Sequence, residues 1–290
     1  MTQRQAGAPD AFRSLTGADT HVKVVDIGAS PFEGDPPYRK LLAAGDADVV
    51  GFEPNPDALA KLNAAKGPRE TYLPYVIGDG GRHRLHICQA PGMTSLLEPN
   101  PAVLDLFHGF EEWAKIMSIE DVDTVRLDDV PETARVEMIK IDIQGAELMV
   151  LSNAPECLKT TLVVQTEVEF LQMYKEQPLF SEVEMFLREK GFMLHTFWPI
   201  KKRVVRPMLI RNDVRAGLEQ VLWADAVFVR DLANIAELNN PQLLKLSCIL
   251  HDCYGAVDLV YRLLLEFDKR TSSSLGETYL ERLKATMRQD

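Results

Sequence analysis

The sequence predicts an α/β chain, a doubly wound and mostly parallel sheet followed by a C-terminal helical tail. Two observations carry this. From residue 21 to residue 230, short β-branched apolar runs alternate with helical segments, the rhythm of strand–helix–strand crossovers. Beyond residue 231 three stretches with apolar residues at helical spacing replace it.

Taken in order, residues 21–27 (HVKVVDI) read as a first strand and 36–44 as a short helix stopped by Gly45. Residues 48–53 (DVVGFE) form a second strand. Asn55 then caps a helix with Pro56 at its first position and Gly67 at its close. Residues 71–77 make a third strand. After the Gly80-Gly81 turn, 84–88 alternates like a half-exposed strand. Residues 89–118 break the rhythm with Pro and Gly and one helical stretch around 107–116. Such an insertion is either a lid or a packed surface loop, and the two readings weigh equally.

Residues 136–143 (VEMIKIDI) and 161–168 are strands, followed by a helix with a Ser181…Glu184 capping box and Gly191 as its stop. Strands at 192–198 and 221–230 complete the sheet. The tail helices lie at 238–250, 256–267 and 275–287, the last opened by a Ser274…Glu277 box. The expected division is a frayed polar lead-in (1–20), a main domain (21–230) and the tail (231–290). The tail's leucines would cover the sheet, recognise substrate or form a homodimer interface, the last being the favoured reading.

Composition narrows the class. With 290 residues, 46% hydrophobic and 26% charged, the chain has ample core and is neither disordered nor a small disulfide scaffold. No apolar run approaches the roughly 20 residues of a membrane span, and the polar first ten residues lack a secretory h-region. Four cysteines without framework spacing point to a reducing, cytoplasmic setting. A net charge of −11 argues against nucleic-acid binding.

In an open parallel sheet the ligand sits beyond the carboxyl ends of the strands, and the polar motifs fall there. The first strand ends in Asp26-Ile27-Gly28-Ala29-Ser30, where Gly28 lets a ligand approach the backbone. The second ends in Glu53-Pro54-Asn55, placing an acid 25 positions after Gly28. A carboxylate there accepts the hydroxyls of an adenosine ribose. A pyrophosphate wants further glycines and bare N–H groups. Ser30, Pro31 and Phe32 stand there instead, and Pro31 lacks a donor. A phosphate-free, positively charged cofactor such as S-adenosylmethionine suits the turn better, with Asp26 near its amino-acid end. The plainer alternative is that Asp26 and Gly28 only shape a turn.

The block Ile139-Lys140-Ile141-Asp142-Ile143-Gln144-Gly145-Ala146-Glu147 is more distinctive. Alternation sends Lys140 and Asp142 to one face, and charges in a buried strand are costly unless paired. The expected pair is Lys140 with Asp142 or with Glu147. It marks either a site or a structural ion pair.

VVDIGAS, VVGFEPNP, DTVRLDDV, VEMIKIDIQGAELMVL and LVVQTEVEF, in this order, resemble the FkbM family of S-adenosylmethionine-dependent methyltransferases. The resemblance implies a seven-stranded class I methyltransferase (Rossmann-like) sheet with a reversed late strand at 221–230. It also implies O-methylation of a hydroxyl on a sugar, glycan or small metabolite. Carried over, Asp26, Gly28, Ala29 and Ser30 wrap the methionine part of the cofactor. Glu53 holds the ribose beside Pro54 and Asn55, and Asp79 lies near the adenine. Asp142 faces the reacting methyl as base or orienting acceptor, with Lys140, Glu147, Glu167 and Glu169 around the rim. The chain departs from the family pattern in lacking a second glycine after Gly28 and in carrying Gln144 where an acid is common.

Other candidates are weaker. Clustered carboxylates suit Mg²⁺, but no metal-specific spacing is present and a metal is not favoured. His108 is a possible base but reads more simply as solvated or packed. Lys201, Lys202, Arg203, Arg206, Arg211 and Arg215 form a basic run that is either a solvated hairpin or a magnet for an anionic substrate. Cys248, His251 and Cys253 have no metal-ligand spacing and read as structural. An NAD(P)-dependent oxidoreductase and a non-catalytic methyltransferase-like scaffold are the competing functions.

Overall fold

The computed structural model describes residues 11–30 and 34–286; residues 1–10, 31–33 and 287–290, with the expectations placed on them, lie outside these. Among the described residues β1 (Val22–Ile27), β2 (Ala47–Phe52), β3 (Glu70–Leu73), β4 (Arg82–Cys88), β5 (Ile116–Asp123), β6 (Met138–Ile141), β7 (Val163–Glu169), β8 (Phe192–Arg203) and β9 (Gln220–Arg230) form two sheets. Seven strands join in the order β3-β2-β1-β6-β7-β9-β8, and β4 pairs with β5 apart from them. All pairings in the large sheet are parallel except those of β9, which runs against both neighbours. This is the expected class I methyltransferase sheet, with its switch point between β1 and β6, where the strand order reverses.

Two cores sandwich the sheet. On one face Val25, Ile27, Ile139, Ile141 and Val164 meet the helices α6 (Glu147–Ser152), α7 (Pro155–Thr160) and α8 (Phe180–Glu189). On the other, Val22, Val24, Met138, Val163 and Val227 meet the tail, whose helices are α9 (Asn240–Ile249), α10 (Val257–Thr271) and α11 (Leu275–Thr286). Leu243, Leu246, Ile249, Leu263 and Leu264 are wholly buried there, each contributing about 1.5–3 kcal/mol. The apolar faces that the sequence offered to a dimer are therefore used inside the chain, as a cover for the sheet.

The N-terminal segment departs from the expected fraying. Helix α1 (Phe12–Thr16) places Phe12 and Leu15 in the tail-side core. The Phe12 N–H donates to both oxygens of Asp252 at 3.2 Å, so one turn of chain is clamped by a buried acid. Helix α2 (Arg39–Ala44) ends at left-handed Gly45 as expected. Helix α3 (Pro56–Ala65) starts as read, Asn55 Oδ1 accepting from the N–H groups of Asp57 and Ala58 at 3.0 Å. It stops at Lys66, whose extended backbone breaks it one residue before Gly67.

Other boundaries shift for local reasons. Strand β3 stops at Leu73 because Pro74 follows. The stretch 89–118 holds α4 (Pro101–Leu104) and α5 (Phe110–Trp113), and its end opens strand β5, which the sequence reading missed. Almost every residue of β5 is exposed, so no buried alternation signalled it. The insertion packs its own small core, with Met93, Leu104, Phe107 and Phe110 against Tyr174 and Leu222. The two expected capping boxes are also replaced. Glu182 accepts from the Leu179 N–H at the start of α8, while Glu184 pairs with Arg188. At α11, Asp268 of the preceding helix takes the N–H groups of Leu275 and Gly276.

Gly28 (φ +83°) is required by the chain itself. A Cβ there would lie 2.0 Å from the carbonyl oxygen of Asp142, so the chain's own backbone fills that side of the residue. Gly28→Ala is expected to cost about 3 kcal/mol or more. Gly17→Ala, at φ +73° with nothing within 4 Å, should lose only the backbone penalty of about 1–2 kcal/mol. Urea unfolding of both variants checks this, and equal losses would refute the clash.

Candidate active site

Strand alternation builds the site. The tail-facing side chains of β1, β6 and β7 are apolar low in the sheet (Val22, Val24, Met138, Val163). Toward the carboxyl ends the same face continues as Asp26, Lys140, Asp142, Gln165, Glu167 and Glu169. The opposite face stays mostly apolar, with Val25, Ile27, Ile139, Ile141, Val164 and Val168 around buried Thr166. A polar wall therefore rises along three adjacent strands at the switch point.

Asp26 and Lys140 are register partners on β1 and β6. Lys140 Nζ donates to Asp26 Oδ1 at 3.1 Å, and the Tyr38 hydroxyl donates to Oδ2 at 2.5 Å. This corrects the expected pairing of Lys140 with Asp142 or Glu147: Asp26 lies directly across on the neighbouring strand, whereas Asp142 lies beyond the strand end. Both charges are nearly enclosed. The Tyr38 phenol is pushed well above its ordinary range by burial and by Asp26. Both oxygens of Asp26 thus already accept from the protein, and it braces β1 against β6.

The rim itself is acidic. Asp142, Glu147 and Glu167 bring one carboxylate oxygen each within 4.8 Å of one another, an oxygen set of the kind divalent cations take. The Gln144 amide spans two of them, donating to Asp142 Oδ1 at 2.8 Å and to Glu167 Oε2 at 2.9 Å. Gln144 takes a left-handed φ of +60° to do so. Its Oε1 receives the Tyr174 hydroxyl at 3.4 Å, and its carbonyl receives the Ser95 hydroxyl at 2.7 Å. Asp142 Oδ2 has no protein donor among the described residues.

Burial dominates the protonation of this group. Glu147 is pushed up to about 7, chiefly by desolvation, although the Ile143 N–H donates to it at 2.9 Å. Glu167 and Glu169 are raised well above the carboxylate range by burial and then by the neighbouring acids. Asp225 is raised to about 6 by burial and Asp142. Gln165 ties Asp225 to the tail, donating to it at 3.1 Å while accepting from the Tyr254 hydroxyl at 2.9 Å.

Across the switch point lie the residues expected at the cofactor. The N–H groups of Gly28 and Ala29 both donate to the Phe52 carbonyl, locking the turn that leads to Ser30. Glu53 is half-buried at the end of β2, its carboxyl raised by desolvation, with Oε1 accepting from the Asn55 N–H at 2.7 Å. Pro54 and Asn55 are exposed beside it. Asp79 Oδ1 is engaged by His83, the Gly81 N–H and Thr124, and the His83 contact leads in holding it below its ordinary value. It shapes its own turn first.

Sequence reasoning missed Gln144, Tyr38, Tyr174 and Tyr254. Gln144 carried a signal, since it replaces an acid between two others; the tyrosines arrive from distant segments and carried none. The basic run is not one cluster: Arg206 pairs with Glu111, and Arg211 sits exposed at left-handed φ. His108 is exposed, against the Met208 carbonyl. His251 contacts the Tyr279 hydroxyl and Cys248 contacts Asp252, the structural role expected.

The family profile described as Methyltransferase FkbM domain matches residues 26–194, more than half of the chain. The chain belongs to the FkbM methyltransferase family. Within it, this member is 28% identical over 162 residues to the 2-O-methyltransferase NoeI of Sinorhizobium fredii, covering 53% of this chain and 66% of the relative. It is 25% identical over 157 residues to the hexuronic acid methyltransferase AglP of Haloferax volcanii, covering 51% and 61%. The matched stretch spans just under two thirds of each relative. Among solved structures, a putative methyltransferase from Thermoplasma acidophilum aligns with a TM-score of 0.37 at 8% identity, over 73% of this chain and 70% of that one.

The raised glutamates set a pH dependence. Their folded values exceed those of the unfolded chain, so the stability they confer is complete below the ordinary glutamate range. It is lost as pH rises through the folded values, for Glu147 through about 7. The melting temperature is expected to fall from about pH 5.5 to about pH 8.5. Glu167→Gln should flatten that fall by roughly 2–4 °C per kcal/mol of relieved charge burial. An unchanged slope in the variant would refute the assignment.

Proposed function

We propose that the protein is an S-adenosylmethionine-dependent O-methyltransferase acting on a hydroxyl of a sugar or glycan. The observation that carries this reading is the placement of two different carboxylate environments on either side of the β1–β6 switch point. Half-buried Glu53 stands on one side, and the Asp142–Gln144–Glu167 assembly on the other. Membership of the family supports the transfer chemistry, and the two relatives, whose names refer to 2-O-methyl transfer and to hexuronic acid, support a hydroxyl acceptor.

The residues present fit the cofactor. Glu53 Oε1 is turned to Asn55, and its second oxygen suits ribose hydroxyls. The 28–30 turn offers a locked backbone rather than a pyrophosphate nest, because Asp142's carbonyl occupies the space beside Gly28. That favours a phosphate-free cofactor over a dinucleotide. When bound, S-adenosylmethionine supplies a methyl group already activated on a sulfonium.

The protein's own work is then placement and proton acceptance. Asp142 Oδ2 accepts the hydrogen bond of the acceptor hydroxyl, while Gln144 holds Oδ1 and fixes the carboxylate plane. Buried Glu147, Glu167 and Glu169 keep their protons more readily than an exposed acid, which limits repulsion around Asp142. Lys140 serves through Asp26, as a positioning residue. Residues 21–230 form the transfer domain, and the tail braces its rim through Tyr254.

Calorimetry with S-adenosylhomocysteine, with NADH as control, tests the cofactor class. Micromolar affinity for the first alone is expected, and Glu53→Ala should weaken it about 10-fold or more. Asp142→Asn should leave that affinity nearly intact and lower labelled methyl transfer to glycan hydroxyls by about 10²-fold or more. NADH binding in its place would overturn the reading, and full transfer by Asp142→Asn would remove Asp142 from its role.

A further inference from the structure

The β8–β9 hairpin rises from the ligand end of the sheet and holds an open groove of about 590 Å³. Lys201, Lys202, Arg203 and Arg215 line it, together with Leu218 and Trp223. Four cations share one groove in a chain whose net charge is −11. Their acidic neighbours compensate weakly. Glu219 is 3.9 Å from Lys202 and almost fully exposed, and Asp213 Oδ1 accepts from the Arg215 backbone N–H.

Arg203 is the most constrained of the four. Its guanidinium lies 5.1 Å from the centre of the Trp223 ring and 5.9 Å from that of Phe110. One terminal nitrogen donates to the Lys202 carbonyl, while the buried Nε has no acceptor. A guanidinium bounded by two aromatic rings, whose terminal N–H groups exceed the single bond to Lys202, suits a carboxylate or phosphate. Arg215 lies over Trp113 in the same way, at 5.7 Å. Trp223 and Leu218 add an apolar wall suited to the C–H face of a pyranose.

Register ties the groove to the acidic rim. Trp223 pairs with Glu169 across β9 and β7, and with Lys201 across β9 and β8. Two strand spacings, about 10 Å, therefore separate the Glu169 backbone from that of Lys201, and a third, about 15 Å in all, leads to the end of β6 that carries Asp142. This is the scale of two or three sugar rings.

We propose that this groove binds the anionic group, carboxylate or phosphate, of a saccharide whose hydroxyl reaches the Asp142 rim. The proposal rests on the reading of that rim as the transfer site. The apolar wall takes the ring, the four cations take the charge, and the rim, three strand spacings away at Asp142, meets the hydroxyl. A neutral sugar of the same size lacks the group that the cations hold.

The test is a ligand-observed NMR titration of the full chain with glucuronic acid, glucose 1-phosphate and glucose, alongside calorimetry with S-adenosylhomocysteine. At least one anionic sugar should bind 10-fold or more tighter than glucose, and added salt should erode the difference. Stronger binding of glucuronic acid assigns a carboxylate and stronger binding of glucose 1-phosphate a phosphate; either supports the site. Lys201→Ala with Arg215→Ala, both on exposed side chains, should remove the preference while leaving S-adenosylhomocysteine affinity within twofold. Arg203→Lys keeps the charge but loses the fork, and should weaken the anionic sugars at least threefold. Equal binding of all three sugars, or an unchanged preference in the double variant, overturns the proposal. Loss of the S-adenosylhomocysteine signal with retained anion preference overturns the reading of the rim and leaves the groove as a binding site.

Discussion

Asp142's carbonyl oxygen lies where a side chain on residue 28 would begin. Strands β1 and β6 can therefore leave the sheet side by side only with glycine at that point. The approach brings the 28–30 turn against the segment that carries Asp142, Gln144 and Glu147, while the paired N–H groups of Gly28 and Ala29 hold the turn to Phe52 on the other side. A switch point between two strands becomes a defined seam with the 28–30 turn on one flank and carboxylates on the other.

Gathering acids at such a seam is costly, because each loses water and each repels the next. The structure offsets this in two ways. Desolvated Glu147, Glu167 and Glu169 hold protons more tightly than usual, and the Gln144 amide gives one N–H to Asp142 and another to Glu167. An acid at position 144 would add repulsion where the amide adds attraction. The Asp26–Lys140 pair lies just below, on the same face, and satisfies its charges within the protein. It braces the strands beneath the acidic rim.

The C-terminal helices complete this arrangement. They bury the tail-side face of the sheet, hold α1 through Asp252, and reach the rim where Tyr254 fixes Gln165 and thereby Asp225. Packing that covers the sheet and hydrogen bonding that orients the site thus come from the same element.

Local pattern alone determined the α/β class, the succession of motifs along the chain, the Asn55 cap and the shared face of Lys140 and Asp142, while the reversed final strand and the acids at 167 and 169 came with the resemblance to the family. The former depend on period-two and period-3.6 burial and on turn chemistry, which are written in neighbouring residues. Strand β5 escaped because it buries almost nothing. The partner of Lys140, the bridge made by Gln144, the occupant of the space beside Gly28 and the destination of the tail were decided by tertiary structure. Each depends on which distant segments meet across the sheet: Asp26 lies 114 residues from Lys140 and Tyr254 lies 89 from Gln165. Side-chain alternation names the face a residue occupies, but only the register of adjacent strands names the residue it will meet.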